Sequence, residues 1–424
     1  MPAGRSVSHV RWSIALLLCL ASTLNYLDRQ TLSVLAATIQ RELGFTSVEY
    51  SWFTTAFLVT YTVMYAVSGR IVDHLGTRRS FMVFLTGWSL ATMLHAPART
   101  VLHFSAARAL LGAFQPANFP AGVRAVSEWF PMHERALAVG IFNAGTAMGS
   151  AVATPVVAFV ALAWGWRSAF IVSGALGFIW LAVWAWYYRL PHEHPSVSAE
   201  ERMLIAGQAD GGAAAAAARP PSIGAVLRMR EAWGCILARV LTDPISYFLA
   251  FWTPKYLQDE RGFSLADLGR YGWIPFVALA VGNIASGAVP RLLVARGWSV
   301  DRARKASMLG VSLAMPICCY LVTQVDNVGL AVALLAAIMF GHAAWGNITL
   351  PAEVFPREAV GTVSGFGGAL GGLAGAITQL TIGWVVANLS FTPIFAVCSV
   401  MYLVALGFVQ LLIGELGVIR RVPR

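Results

Sequence analysis

Residues 12–35 read WSIALLLCLASTLNYLDRQTLSVL. As a helix this run is long enough to cross ~30 Å of hydrocarbon. Inside it stand Asp28 and Arg29. Neighbours on a helix point about 100° apart, so these two cannot neutralise each other by simple side-by-side pairing. Insertion scales put each charge at mid-bilayer at roughly 2.5–3.5 kcal/mol. A segment that keeps two of them marks a functional site inside a helical bundle.

The rest of the 424-residue chain repeats the apolar pattern. It is 58% hydrophobic and 12% charged, where a soluble protein carries roughly twice that charge. Apolar segments lie near 12–36, 52–72, 79–97, 101–126, 137–163, 167–189, 233–257, 267–290, 304–324, 328–351, 361–388 and 391–413. These predict an all-α integral membrane protein with twelve transmembrane helices in two six-helix halves. The expected organisation is an N-terminal half over 1–189, a cytoplasmic linker over 190–230 and a C-terminal half over 231–424. The linker contains the low-complexity run GGAAAAAARPP (211–221), flexible by composition.

The first apolar run looks superficially like a signal peptide, but it continues past any cleavage site and is read as an uncleaved helix. The formal charge of +10 sits beside helix ends, so it serves topology and lipid headgroup contact; nucleic acid is excluded as a partner. Arg5, Arg11, Arg70, Arg78, Arg79, Arg135, the linker and the 291–305 cluster fall on one side, with Arg357, Arg420, Arg421 and Arg424. Only Arg41, Arg99, Arg167, Lys255, Arg261 and Arg270 fall on the other. This asymmetry predicts that both termini are cytoplasmic. The five cysteines lie in apolar spans without ligand or disulfide spacing and are read as small core residues.

The loop after the second span reads GRIVDHLGTRRS (69–80), and the loop after the eighth reads GAVPRLLVARGWSVDRARK (287–305). Both pair a glycine with a basic cluster, as parallel halves of a transporter do. The G-x-x-x-D-x-x-G-x-R-R pattern, carried by Gly69, Asp73, Gly76, Arg78 and Arg79, resembles the loop signature of the major facilitator superfamily. The resemblance implies that these residues gate the cytoplasmic face; the second copy has Arg291 where the Asp would stand. NYLDRQTLSVLAATIQ, RALLGAFQPANFPAGVRAVSEWFPMHERALAVGIFNAG and FWTPKYLQDERGFSLADLGRYGWIPF resemble the anion:cation symporters, above all their hexuronate and aldonate branch. That branch usually carries a Glu seven residues after the helix-4 Arg. This chain has Arg108 but Gln115, an amide that hydrogen-bonds but does not titrate.

At 1.5 Å per residue, Asp28, Tyr61 and Arg108 lie roughly 10–13 Å from the outer ends of their helices, so three helices bring polar groups to one depth. Asp28 is the expected proton carrier and Arg108 its exchangeable partner. A substrate carboxylate competing for that arginine would free Asp28 to take a proton and so couple the two bindings. Guanidinium is a bidentate carboxylate binder, and the resemblance implies substrate contact by Arg29 and sugar-hydroxyl contact by Tyr26 and Tyr61. Gln115 is placed with them.

In the second half, Arg239 and Asp243 stand at i, i+4 just before Pro244, and Asp243 is expected to be a second proton site or half of a self-neutralised pair. Arg239, His342, Asn347 and Gln379 are further expected substrate contacts, and Glu128 and Arg135 further gating residues. The glycine run 365–376 permits close helix packing and lacks the Lys-Ser/Thr ending of a phosphate loop. HEH (192–194) has no third ligand nearby, so no metal is expected; no cofactor is implied, and no catalytic motif of an enzyme appears.

The chain is thus expected to be a monomeric, proton-coupled secondary importer of a small organic anion in a bacterial inner membrane, working by alternating access. A uniporter or exchanger of carboxylates, or a carboxylate sensor without net flux, is the competing expectation.

Overall fold

The structure, a computed structural model, describes residues 9–206 and 223–417. In these residues the elements are helices. The first group comprises α1 (Val10–Leu43), α2 (Ser47–Met93), α3 (Val101–Phe114), α4 (Asn118–Trp129), α5 (Met132–Trp164) and α6 (Trp166–Tyr187). Short α7 (Ala199–Ala206) and α8 (Ile223–Leu227) flank the undescribed segment. The second group comprises α9 (Arg230–Asp259), α10 (Leu265–Tyr271), α11 (Ile274–Ala295), α12 (Val300–Gln324), α13 (Val328–Trp345), α14 (Leu350–Val354), α15 (Arg357–Asn388) and α16 (Thr392–Phe408).

Two breaks reconcile these helices with twelve crossings. Gly76 adopts φ 74°, ψ 163° inside α2 and folds the chain back, so one continuous helix contains the second and third spans. That left-handed φ suits glycine and strains other residues. Pro116 lies in a 3-10 turn, Gln115–Ala117, that interrupts the fourth span between α3 and α4. The other spans stand where hydropathy put them, since burying or lipidating the backbone requires helical hydrogen bonding. Their ends are closed locally: Thr46 and Glu49 form a capping box on α2, Ser264 and Asp267 one on α10, and Gly44 ends α1 in the left-handed conformation.

The end of the bundle near residues 190–230 is the linker end; the far end carries the turns at 44–46, 94–100 and 325–327. The two groups are joined in the far half of the bundle. Tyr50 donates to the Phe251 carbonyl (2.8 Å), Thr55 to that of Ala376 (3.3 Å) and Gln258 to that of Val34 (3.2 Å). Buried Lys255 bridges Gln40 and Asp259.

Toward the linker end the polar contacts run within groups. Arg124 pairs with Glu128 (2.9 Å) and Asp73 (3.5 Å) in the first group, and Arg304 with Glu353 (3.1 Å) in the second. The opening of the linker is more ordered than composition implied. Fully buried Glu201 on α7 pairs with Arg11 (2.9 Å), which also holds Glu134 (2.8 Å), and His194 packs between Trp129 and Tyr187. The low-complexity run at 211–221 lies outside the described residues.

Candidate functional site

Midway along α1, Arg29 is 93% buried and faces three rings: its guanidinium carbon lies 4.4 Å from the centre of Tyr26, 4.7 Å from Tyr61 and 5.1 Å from Phe57. Such stacking stabilises a cation most when water is excluded. Arg29 Nε donates to Gln115 Oε1 (3.1 Å), and Gln115 Nε2 donates to the Asn25 carbonyl (2.8 Å). Asn25 Nδ2 returns a bond to the Gln115 carbonyl (3.3 Å). Pro116, which cannot continue the α3 ladder, sits beside this knot and leaves Gln115 at the break. Among the described residues no carboxylate lies within ion-pair distance of Arg29. The cage therefore presents a formally unneutralised cation.

Arg108 does something other than expected. Both its terminal nitrogens donate to the Arg29 carbonyl (3.2 and 3.1 Å), and no ion pair with Asp28 forms. The cause is angular. Asp28 points away around α1 toward Thr92 on α2, whereas the adjoining carbonyl of Arg29 takes the guanidinium fork. Among the described residues, neither carboxylate oxygen of Asp28 has a hydrogen-bond partner, although the residue is 1% exposed. The expected proton carrier thus lies beside Arg29 in sequence but faces a different neighbour.

In the second group the charges are neutralised. Arg239 Nε and Nη2 lie 3.0 and 2.9 Å from Asp243 Oδ2, and Nη1 donates to the Ser364 carbonyl (3.1 Å). Asn347 Nδ2 donates to Asp243 Oδ1 (2.8 Å) and to Thr242 Oγ1 (2.7 Å). The glycine run of α15 makes room for this pair: a Cβ on Gly371 would come 2.4 Å from Asp243 Oδ2. Side chains smaller than any other let a polar cluster approach a neighbouring backbone.

Two expected contacts are spoken for elsewhere. His342 Nδ1 is bonded to the Tyr402 hydroxyl (2.7 Å), a partner on α16 inside the second group. Fully buried Gln379 accepts from Trp252 Nε1 (2.7 Å) toward the far end, away from the arginines. Each has found a complementary group close by, as buried polar side chains do.

The expected gating residues also stay within the first group. Asp73 faces Arg124, Arg78 donates to the Ala185 carbonyl (2.6 Å), Glu128 accepts from Tyr188 (2.6 Å), and Arg135 donates to the carbonyls of Phe130 and Ser127. With Gly76 and Arg79, several of them line a cavity of about 560 Å³ at the linker end. Gly69 has open space where a Cβ would stand.

Sequence reasoning missed Tyr247. It lies within electrostatic reach of Arg29, Arg239 and Asp243, and its ring is parallel to that of Phe251, which meets Phe57 edge-on across the two groups. The signal was present: 239, 243 and 247 are spaced by four and share one helical stripe. The far-end contacts of Tyr50, Lys255 and Gln258 carried no comparable signal.

The sequence profile of the Major Facilitator Superfamily matches residues 18–379. The hexuronate transporter of Escherichia coli (strain K12) is 33% identical over 403 residues, covering 93% of this chain and 92% of its own. The probable galactarate/D-glucarate transporter GarP of the same strain is 31% identical over 430 residues, covering 95% and 96%. The inward-open structure of the xylose transporter XylE from E. coli superposes with a TM-score of 0.74 at 16% identity, covering 96% of this chain and 97% of that one.

Proposed function

The chain belongs to the Major Facilitator Superfamily, and on that premise we propose that it imports a monovalent sugar acid, a hexuronate or aldonate, together with protons across a bacterial inner membrane. It is a multi-pass membrane protein and a transporter, with relatives named for transport and not for catalysis.

The observation that carries the substrate reading is a charge count. Arg29 has no carboxylate partner, whereas Arg239 is neutralised by Asp243. Arg108, the other guanidinium without a carboxylate partner, is committed to the Arg29 carbonyl, which leaves Arg29 to meet one substrate carboxylate through the bidentate geometry that guanidinium favours. Tyr26, Tyr61 and Tyr247 surround it with phenols able to bond sugar hydroxyls. The hexuronate relative is named for monocarboxylates and GarP for dicarboxylates, so the count separates two chemistries among relatives of similar identity.

Asp28 is the proton carrier in this reading. A carboxyl buried without a partner is most stable neutral, and an intramembrane acid of that kind is the usual place for a coupled proton. The far end is held shut by Tyr50, Gln258 and Lys255, so with the linker in the cytoplasm this is an inward-facing arrangement of an alternating-access cycle.

The test is uptake by purified protein in liposomes. A pH gradient, acid outside, should concentrate glucuronate, galacturonate or galactonate but not galactarate; uptake of galactarate alone would sink the charge count. Asp28→Asn should abolish gradient-driven accumulation yet leave exchange of substrate for substrate. A mutant that still concentrates substrate normally would remove Asp28 from coupling.

Gln115 supports one competing reading, carboxylate exchange without protons. Its amide donates to Asn25 and accepts from Arg29, as a permanently protonated acid would. Uptake indifferent to the pH gradient in the unmodified protein would favour that reading.

A further inference from the structure

Behind Asp28, on the side away from the Arg29 cage, lies a group of buried polar atoms that substrate binding does not use. They come from α1, α2 and α3. Among the described residues, Asp28 Oδ1 and Oδ2, Trp88 Nε1, His95 Nε2 and Arg108 Nε are all buried and without hydrogen-bond partners. None of the four residues is more than 1% exposed. An unmade hydrogen bond on a buried group costs roughly 1–3 kcal/mol, so such atoms on three neighbouring elements call for a role.

Their arrangement is directional. Trp88, Thr92 and His95 follow at i, i+4 and i+7 along the third span, a single helical face that ends in the far-end turn. Thr92 stands against Asp28, and the Thr92 carbonyl lies 3.2 Å from His95 Nδ1. Thr92 therefore touches both titratable groups. The Ala91 carbonyl lies closer to Nδ1, at 2.8 Å. A carbonyl only accepts, so Nδ1 carries the hydrogen and Nε2 the lone pair. The ring cannot turn freely: it stacks on Phe170 of α6 (4.9 Å, 9° between planes) and meets Phe104 of α3 edge-on.

We propose that His95 is a proton-relay residue that feeds Asp28 from the far end of the bundle. This rests on the reading of Asp28 as the coupling carboxyl. Nε2 takes a proton from hydronium at the far end, giving an imidazolium and water. The same nitrogen then releases that proton, by way of a bridging water, to the Asp28 carboxylate. Nδ1 keeps its hydrogen on Ala91 throughout, so one proton moves and the imidazole returns to its starting tautomer. The charged group acting on His95 is Arg108 from α3, with Tyr50 of α2 beyond it; Asp28 from α1 is reached through Thr92, and α6 contributes apolar Phe170.

Two substitutions test this in the full-length protein in liposomes. His95→Asn keeps a donor where Nδ1 stands and removes the Nε2 acceptor; His95→Gln keeps an amide near the Nε2 position that cannot titrate. Each should lower the initial rate of pH-gradient-driven uptake about tenfold or more, with substrate exchange at equal pH kept within about threefold. The surviving gradient-driven rate should also lose its dependence on outside pH. Normal gradient-driven uptake in either folded variant overturns the relay. Equal loss of uptake and exchange in both variants also overturns it, because that is the signature of a packing role. Asp28→Asn measured alongside separates the two ideas. If it uncouples while the His95 variants remain coupled, only the relay fails; if it stays coupled, the reading of Asp28 fails first.

Discussion

Each half of the bundle carries an aspartate and an arginine close together on one helix, and the two halves treat them oppositely. In α9 the pair is spaced i, i+4, which places both side chains on one face, and Arg239 and Asp243 join at 2.9 Å. In α1 the pair is adjacent, the side chains diverge, and Asp28 and Arg29 end with different neighbours. Three residues of sequence separation thus decide whether two charges cancel or remain available. In the proposed reading the neutralised pair serves as structure beside the site, and the divided pair supplies one cationic group for cargo and one acidic group for a proton.

The strongest way to break this contrast is to unmake the second pair. Asp243→Ala leaves the Arg239 guanidinium without its counter-charge, and breaking a buried pair from one side costs about 3–5 kcal/mol. Thermal unfolding in detergent should show a marked drop, with the double variant Arg239→Met, Asp243→Ala recovering much of it. A single variant as stable as the parent would show that the pair is not structural.

Arg29→Gln probes the other half and should behave differently. Losing a charge-assisted bond to a carboxylate costs about 1.5–3 kcal/mol, or roughly 10- to 150-fold in affinity. Isothermal titration with a hexuronate would read it, and stability should change little because no acid depends on Arg29. Affinity within twofold of the parent would move the carboxylate site elsewhere.

The smallest effect sharpens the contrast instead of breaking it. Gln115→Glu places a carboxylate on Arg29 Nε and makes the first half resemble the second. When ionised, the new group neutralises the cage and cannot donate to the Asn25 carbonyl; when protonated, it mimics the amide. Affinity should therefore fall about tenfold at alkaline pH and recover as the pH falls. A pH-independent affinity would mean that Gln115 does not hold Arg29 in the working protein.

Much of this was legible before any coordinates. Hydropathy placed the spans because lipid leaves the backbone little alternative to helix, and the Gly76 and Pro116 breaks fall where residue chemistry permits them. Depth grouped Asp28, Tyr61 and Arg108, and the family resemblance grouped Tyr26, Arg29 and Tyr61. Pairing was not legible. Whether Arg108 reaches Asp28 or the next carbonyl depends on a few tens of degrees of rotation about α1, which spacing alone does not give. His342 and Gln379 look like lone polar residues in a span until Tyr402 and Trp252, distant in sequence, arrive beside them. The far-end seal was invisible for a related reason: Tyr50, Gln258 and Thr55 bond to backbone carbonyls, which any residue at the accepting position supplies.

The ring cage around Arg29 has one more consequence. A free arginine side chain carries about 2 kcal/mol of rotamer entropy, much of which a mobile one would surrender on clamping its ligand. Arg29, pressed among Tyr26, Phe57 and Tyr61 and tied to Gln115, gave up that freedom when the chain folded. In the proposed reading an arriving carboxylate meets a group already aimed, so its recognition is prepaid in disorder, and the site gains affinity without needing more contacts.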